Sequence, residues 1–411
     1  MGMNDTPRGE RLHIALFGKR NAGKSSMINA LTNQNIAIVS DQKGTTTDPV
    51  YKAMELLPLG PVVFIDTPGI DDEGELGKLR VSKAKEVLAK TDVALLIVDI
   101  TAGFSDSEDS LLKELKERKI PAIVLLNKMD LLEENHNKLV ETIKTLYDVP
   151  VVPVSASSKS GIDQVKELLG TYEPQQEEER RIVADFIEPS DFIVLVVPID
   201  KAAPKGRLIL PQQQTIRDIL EAGAVSIVVK ETELKETLEN IGKKPKLVIT
   251  DSQAFSKVAA DTPDDILLTS FSILFARYKG ELADLVKGAK AVDDLKDGDI
   301  VLMSEGCTHH RQCDDIGTVK LPRWIREYTG KNLVFETSSG TGFPEDLSKY
   351  AMVVHCGACT LNPKEMKHRI SRAKSQGIPI VNYGILIAYL KGILNRSLES
   401  FPGIFTLLES K

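Results

Sequence analysis

Gly18-Lys19-Arg20-Asn21-Ala22-Gly23-Lys24-Ser25 has the spacing G-x4-G-K-S, a pattern suited to holding phosphate. An apolar run at 12–17 precedes it and a helical pattern follows from about Lys24. Glycines at this turn let backbone N–H groups curl around phosphate oxygens, and the helix N-terminus adds its dipole. Lys24 would reach the β- and γ-phosphates and Ser25 would hold Mg²⁺. Ala22 and Ser26 belong to the same cradle.

Three further boxes follow in order. Asp66-Thr67-Pro68-Gly69 places a carboxylate where it would meet Mg²⁺ through water, and the Gly69 amide where it could sense the γ-phosphate. Asn127-Lys128-Met129-Asp130 supplies an acid able to accept from guanine N1–H and the 2-amino group, which adenine cannot offer. Ser155-Ala156-Ser157 fits a loop whose backbone meets the guanine oxygen. Thr46, within Gly44-Thr45-Thr46-Thr47-Asp48, is the expected switch threonine on Mg²⁺. Each box would stand at the carboxyl end of a strand, the ligand side of an open α/β sheet. Together they predict binding and hydrolysis of GTP.

The cysteines are all at the other end of the chain: Cys307, Cys313, Cys356 and Cys359. Cys307-Thr308-His309-His310 and His355-Cys356-Gly357-Ala358-Cys359 each follow an expected strand, so they can meet at one sheet edge. A Cys-x-x-Cys turn can put two thiolates on one metal centre. From spacing, a zinc ion on four cysteines, an iron–sulfur cluster and a redox dithiol all stay open.

The elements that must position these residues read as alternating strands and helices, the pattern of parallel α/β sheets. Strands are expected at 12–17, 62–66, 93–99, 122–127 and 149–154, with helices near 106–118 and 135–147. A charged, Pro-containing stretch at 173–181 reads as a linker. Beyond it, strands are expected near 192–199, 225–230, 246–250 and 266–270, with helices near 211–222, 233–241 and 252–260. Residues 199–212 read as a loop because of two prolines and a glycine. An amphipathic pattern at 274–292 leads to strands at 299–304, 332–336, 350–355 and 379–383, and helices at 362–376 and 385–399. The expected fold class is α/β in three domains: a GTPase domain at 10–173 with a parallel sheet, an α/β domain at 181–270 and a third at 274–411.

A length of 411 residues suits several cores better than one. The balance of 52 basic and 59 acidic residues, net −7, lacks the basic block expected of a nucleic-acid binder. No apolar run reaches the roughly 18–20 residues that span a bilayer. The N-terminal MGMNDTPRGERLH has no apolar signal segment. Gly2 and Thr6 fit a myristoylation spacing, and Asn395-Arg396-Ser397 spells a glycosylation sequon, but nothing else points to a membrane or to secretion. The expectation is a cytoplasmic protein without nucleic-acid or membrane partners, in which clustered cysteines serve metal or redox chemistry.

Residues 10–173 resemble the GTPase family that includes Era and the tRNA-modification GTPase. That resemblance implies that Asn21 helps bind an activating K⁺. It also implies slow hydrolysis, because Ile70 stands where Ras-like proteins place a catalytic glutamine. The order Cys-x-His, then His-Cys-x-x-Cys, joined to such a GTPase, resembles the HydF family of [FeFe]-hydrogenase maturation GTPases. This resemblance implies a [4Fe–4S] cluster on Cys307, Cys356 and Cys359 with an exchangeable fourth iron position. His309 and His355 would approach that position or hydrogen-bond behind the ligands. Cys313 has no role in the pattern, and His310 has a weaker claim than His309. The resemblance further implies a homodimer formed by the middle domain. It also implies a scaffold that receives a diiron precursor from radical-SAM maturases and delivers it to apo-[FeFe]-hydrogenase. The contrasting expectation is a ribosome- or RNA-associated GTPase with structural zinc.

Overall fold

The computed structural model describes residues 8–33, 49–57, 59–70, 83–84, 86–131, 137–172, 181–199, 208–279, 282–306, 315–340, 342–357 and 361–409. The chain divides into two compact units, residues 1–178 and 179–411.

In the first unit, continuous apolar runs form strands buried on both faces, as parallel sheets require. The strands are β1 (Leu12–Phe17), β2 (Val50–Leu56), β3 (Gly60–Asp66), β4 (Val93–Asp99), β5 (Ala122–Asn127) and β6 (Val151–Pro153). They lie in the order β2-β3-β1-β4-β5-β6, parallel except for β2. One core cluster packs Ile14, Phe64 and Leu95 with Met27 and Ile28; another packs Phe17, Ile65 and Leu96 with Leu112 and Leu115. The helices are α1 (Lys24–Thr32), α2 (Asp106–Glu117), α3 (Asn137–Tyr147) and α4 (Ile162–Gly170). Successive strands are laid down on either side of β1, so the turn after β1 opens at the switch point where such sheets bind ligands.

The second unit holds two four-stranded parallel sheets. The first comprises β7 (Phe192–Val196), β8 (Val225–Val229), β9 (Leu247–Thr250) and β10 (Leu267–Ser270), ordered β10-β9-β7-β8. Its helices are α5 (Leu210–Glu221), α6 (Leu234–Asn240) and α7 (Phe255–Asp261). Two helices, α8 (Phe271–Lys279) and α9 (Leu282–Lys290), lead to the second sheet. That sheet comprises β11 (Ile300–Glu305), β12 (Val334–Ser339), β13 (Met352–His355) and β14 (Ile380–Asn382), ordered β12-β11-β13-β14. Its helices are α10 (Leu321–Thr329), α11 (Pro363–Ser375), α12 (Tyr383–Leu390), α13 (Leu394–Ser397) and α14 (Pro402–Glu409). Buried side chains of both sheets and of α8 and α9 form one continuous apolar core.

Three local differences from the sequence reading have physical reasons. Strand β2 was not expected, because it is an edge strand with alternating, half-exposed residues that include Lys52 and Glu55. The helix expected over 385–399 is two helices, because the chain turns at Gly392, φ +70°, between α12 and α13. The loop read over 199–212 gives way to helix at Leu210, since Pro211 sits in the first turn, where no N–H is needed; residues 200–207 lie outside the described residues. Ser397 of the sequon is fully buried and donates to Ile393 O at 2.8 Å, so it serves the core of the fold.

Candidate nucleotide and metal sites

The phosphate cradle follows directly from β1. Gly18 has φ +150°, and a Cβ there would lie 2.3 Å from Ile97 O on β4, so only glycine lets the turn pass this close. Lys24 begins α1, and its Nζ donates to Gly18 O at 2.9 Å and Lys19 O at 2.8 Å, drawing the ammonium across the turn. Ser25 Oγ donates to Asp66 Oδ2 at 2.6 Å, which brings together the hydroxyl and the carboxylate expected at Mg²⁺. The loop carrying Gly69 is tied to the same place: Thr67 Oγ1 donates to Leu16 O at 2.6 Å and Ile70 N to Gly18 O at 3.4 Å.

The base end is built by Asn127 and Asp130. Asn127 is buried, donates from Nδ2 to Ala22 O at 2.9 Å and accepts from Ala156 N at 3.0 Å. One amide thus fixes the phosphate turn and the third box to each other. Ser155 Oγ and Ser157 Oγ donate to the two Asp130 carboxylate oxygens at 2.6 and 2.8 Å. These bonds, that from Ser155 foremost, hold the Asp130 carboxyl below its ordinary range. Lys128 Nζ donates to Asp99 Oδ2 at 2.5 Å. Burial pushes the Asp99 carboxyl up, but the bonds from Lys128 and Thr101 outweigh it and the net shift is downward. A cavity of about 740 Å³ is walled by Asn21, Gly23, Ser26, Asn127, Lys128, Asp130 and Ala156, together with residues of the α1 end. Asn21 adopts φ +59° at this wall. Thr46 lies outside the described residues.

Sequence reasoning gave one contributor no side-chain role and did not name another. Ser157 stood in the third box, yet its bond to Asp130 gives it a part as definite as that of Ser155. Glu108 of α2 is 1% exposed and lies 3.5 Å from Lys19 Nζ in the phosphate turn. An acid inside an amphipathic helix carries no sequence signal of that kind.

At the cysteine edge, β11 and β13 are neighbours and parallel, with β12 beyond β11 and β14 beyond β13. Their carboxyl ends therefore form the switch point of this sheet. Gly306 ends the described part of one loop, and Cys356 begins the other. Gly306 N donates to Cys356 Sγ at 3.0 Å, and Cys356 N donates to Ser304 O at 2.8 Å. A Cβ on Gly306 would fall 2.8 Å from the Leu361 side chain, so the residue before Cys307 and the residue two after Cys359 touch. Cys307, His309, His310, Cys313 and Cys359 themselves lie outside the described residues. What the described residues show is that the anchors of all three cysteines in the pattern converge, and that Cys356 receives an N–H donor suited to a thiolate. This donor chemistry fits a thiolate-held metal centre. Among the described residues no group of three or more metal-binding side chains is assembled.

His355 is fully buried behind Cys356. Its Nδ1 lies 2.8 Å from Cys356 O, and its Nε2 lies 3.0 Å from Arg369 Nη1 on α11. Arg369 is itself 2% exposed and also donates to Gly340 O and Glu365 Oε1, both at 2.7 Å.

A G-x4-G-K-S turn, a hydroxyl–carboxylate pair and an Asn-Lys-x-Asp box on one sheet have the form of a P-loop GTPase, and the family description "50S ribosome-binding GTPase" matches residues 13–128. The other unit decides among such proteins. "Hydrogen maturase F dimerization domain" matches residues 182–280 and "Hydrogen maturase F tetramerization domain" matches 283–400, which together cover more than half of the chain. The chain belongs to the HydF family, and is a GTPase of hydrogenase maturation that binds GTP and GDP. Its GTPase unit is similar to GTPase Era of Heliobacterium modesticaldum, 27% identical over 48% of this chain and 74% of the relative. It is also similar to GTPase Der of Wolinella succinogenes, 35% identical over 39% of this chain and 36% of the relative. A crystal structure of Aquifex aeolicus Era bound to GDP and aluminium fluoride aligns at 22% identity with TM-score 0.37, covering 56% of this chain and 98% of that one. Among the described residues no helix is long and apolar enough to cross a membrane.

Proposed function

We propose that this chain holds a [4Fe–4S] cluster on Cys307, Cys356 and Cys359 and carries the diiron precursor of the hydrogenase active site to apo-[FeFe]-hydrogenase. The observation that supports this most is the meeting of Gly306, Cys356 and Leu361 at the carboxyl edge of β11 and β13. When bound, the cluster supplies an iron with a position left open by three thiolates, able to accept a bridging ligand from cargo. The chain's own residues supply the thiolates, the Gly306 N–H on Cys356, and a buried histidine behind them. Loading by radical-SAM maturases would precede delivery. The middle domain, 181–270, would form a homodimer, and the domain at 274–411 would present the cluster.

In the GTPase domain at 10–173, Lys24 would neutralise the phosphates, while Ser25, Asp66 and Thr46 would serve Mg²⁺ and Gly69 the γ-phosphate. Asn127, Asp130, Ser155 and Ala156 would select guanine. Hydrolysis would be slow, since Ile70 offers no group to orient water, and K⁺ on Asn21 would accelerate it. Nucleotide state would act as a switch on encounters with partners.

Anaerobic reconstitution followed by iron, sulfide and zinc analysis, with EPR after dithionite reduction, tests the metal reading. About four irons and four sulfides per chain, with the reduced signal lost in Cys356→Ser, are expected. One zinc per chain without a signal would replace the carrier by a structural-zinc GTPase.

A further inference from the structure

His355 is placed as a support, and its support in turn is Arg369. Arginine has only donors, so the 3.0 Å contact from Arg369 Nη1 requires a lone pair on His355 Nε2. The proton of a neutral ring then sits on Nδ1, which donates to Cys356 O at 2.8 Å. Both ring nitrogens are thereby occupied. The guanidinium has three further partners: Glu365 Oε1 and Gly340 O each accept at 2.7 Å, and its Cζ lies 5.1 Å from the Phe343 ring centroid. Phe343 also faces His355, with ring centroids 6.3 Å apart. The acid that balances Arg369 stands on the first turn of α11, where Asn362 caps the helix by accepting from Glu365 N at 2.9 Å. That helix begins at Pro363, four residues after Cys359.

We propose that Arg369 is a positioning residue for the metal centre: it locks His355 in the Nδ1–H tautomer, so that His355 orients the Cys356 backbone and is withheld from the iron. The chain of contacts runs from Glu365 through Arg369 and His355 to the Cys356 carbonyl, linking both flanks of the His-Cys-x-x-Cys turn. A buried arginine is costly unless each donor is used. Here its partners are a carboxylate, a carbonyl and an imidazole, an arrangement that fixes one orientation of the His355 ring against the Cys356 carbonyl. Support of this kind behind metal ligands is worth about 10–100-fold in metal affinity. The fourth iron position is then left to a group other than His355.

The proposal rests on the cluster reading, and the test separates the two. Full-length wild-type, His355→Asn and Arg369→Met proteins are reconstituted anaerobically. Metal analysis comes first: if wild type holds zinc or no iron, the cluster reading fails whatever the variants do. With iron present, ¹⁴N couplings to the reduced cluster are read by pulsed EPR. Asparagine keeps an amide near the Nδ1 position and removes Nε2. The expected result is that His355→Asn leaves the wild-type ¹⁴N couplings in place. Loss of a coupling in this variant would make His355 a ligand and overturn the proposal. Arg369→Met is expected to shift the g-values of the reduced cluster and to speed iron loss to a chelator about tenfold. Wild-type g-values and release rate in a folded Arg369→Met protein would equally overturn it. If Arg369→Met fails to fold, the His355→Asn result decides alone.

Discussion

The role proposed for Asp130 rests on its two serine partners. Ser155 and Ser157 each hold one oxygen, leaving the carboxylate aimed and ionised. Asp130→Asn replaces one acceptor by a donor, which faces the wrong way for the guanine 2-amino group. A bond to a charged group is worth about 1.5–3 kcal/mol, so GDP affinity should fall about 10- to 100-fold, with affinity for xanthosine diphosphate rising. Calorimetry with both nucleotides checks this; equal losses for the two would assign Asp130 no part in base choice. The pH dependence has a definite sign. The folded-state pKa of Asp130 is depressed, so the stabilisation is complete above the unfolded value of about 3.9. It is lost only as pH falls through the folded value. The ratio of GDP to IDP affinity, in which phosphate titration cancels, should stay level from about pH 8 to about pH 5. A decline beginning near neutrality would contradict the depression. Gly18 is the other residue whose chemistry is backbone. Gly18→Ala drives a methyl against Ile97 O and should destabilise the nucleotide turn by about 1–3 kcal/mol, seen as lost GDP binding with the far-UV signal of the chain retained.

Single elements are held by equally local devices, and these were the least legible in sequence. Arg396 on α13 donates to Ala259 O at 2.8 Å, Thr262 O at 2.6 Å and Pro263 O at 2.8 Å. It thereby satisfies carbonyls at and beyond the end of α7, where the helix dipole also favours a cation. Arg396→Ala removes all three bonds and should cost about 2–4 kcal/mol, read as a lower urea midpoint for unfolding of the second unit. No change in midpoint would mean that water replaces the guanidinium without loss. In the sequence this arginine looked like part of a glycosylation sequon. The strands β1, β4 and β5 were legible because burial on both faces leaves unbroken apolar runs. The edge strand β2 was not, because its period is blurred by half-exposure. Likewise the phosphate, magnesium and guanine boxes could be read from spacing. The Lys19–Glu108 pair and the Arg369–His355 contact could not, since each joins residues whose meeting depends on how helices pack.

The second unit contains two sheets with sequence signatures of two domains, yet its apolar interior is undivided. Leu195 and Ile249 from one sheet belong to the same buried cluster as Met303 and Val354 from the other, through Phe275 on α8 and Leu285 on α9. Helix α9 packs on β14 and α13 on β10, so each sheet is covered in part by elements that follow or precede the other. The buried Lys279 at the end of α8 donates to Leu361 O at 3.2 Å, two residues before α11 begins. A core shared in this way should melt as one, because exposing either half removes apolar cover from the other. Residues 179–411 are therefore expected to unfold in a single calorimetric transition, with equal van't Hoff and calorimetric enthalpies. Residues 179–280 alone, although they contain a complete four-stranded sheet, should lose cooperativity and expose apolar surface to dye. Two separable transitions in 179–411, or a cooperative fold for 179–280, would show that the sheets are energetically independent. The coupling of the region that matches the dimerization-domain description to Cys356 would then have to be sought outside the core. A single transition would place both in one cooperative body, where a change at the α8 contact with Leu361 reaches Cys356 without passing through a linker.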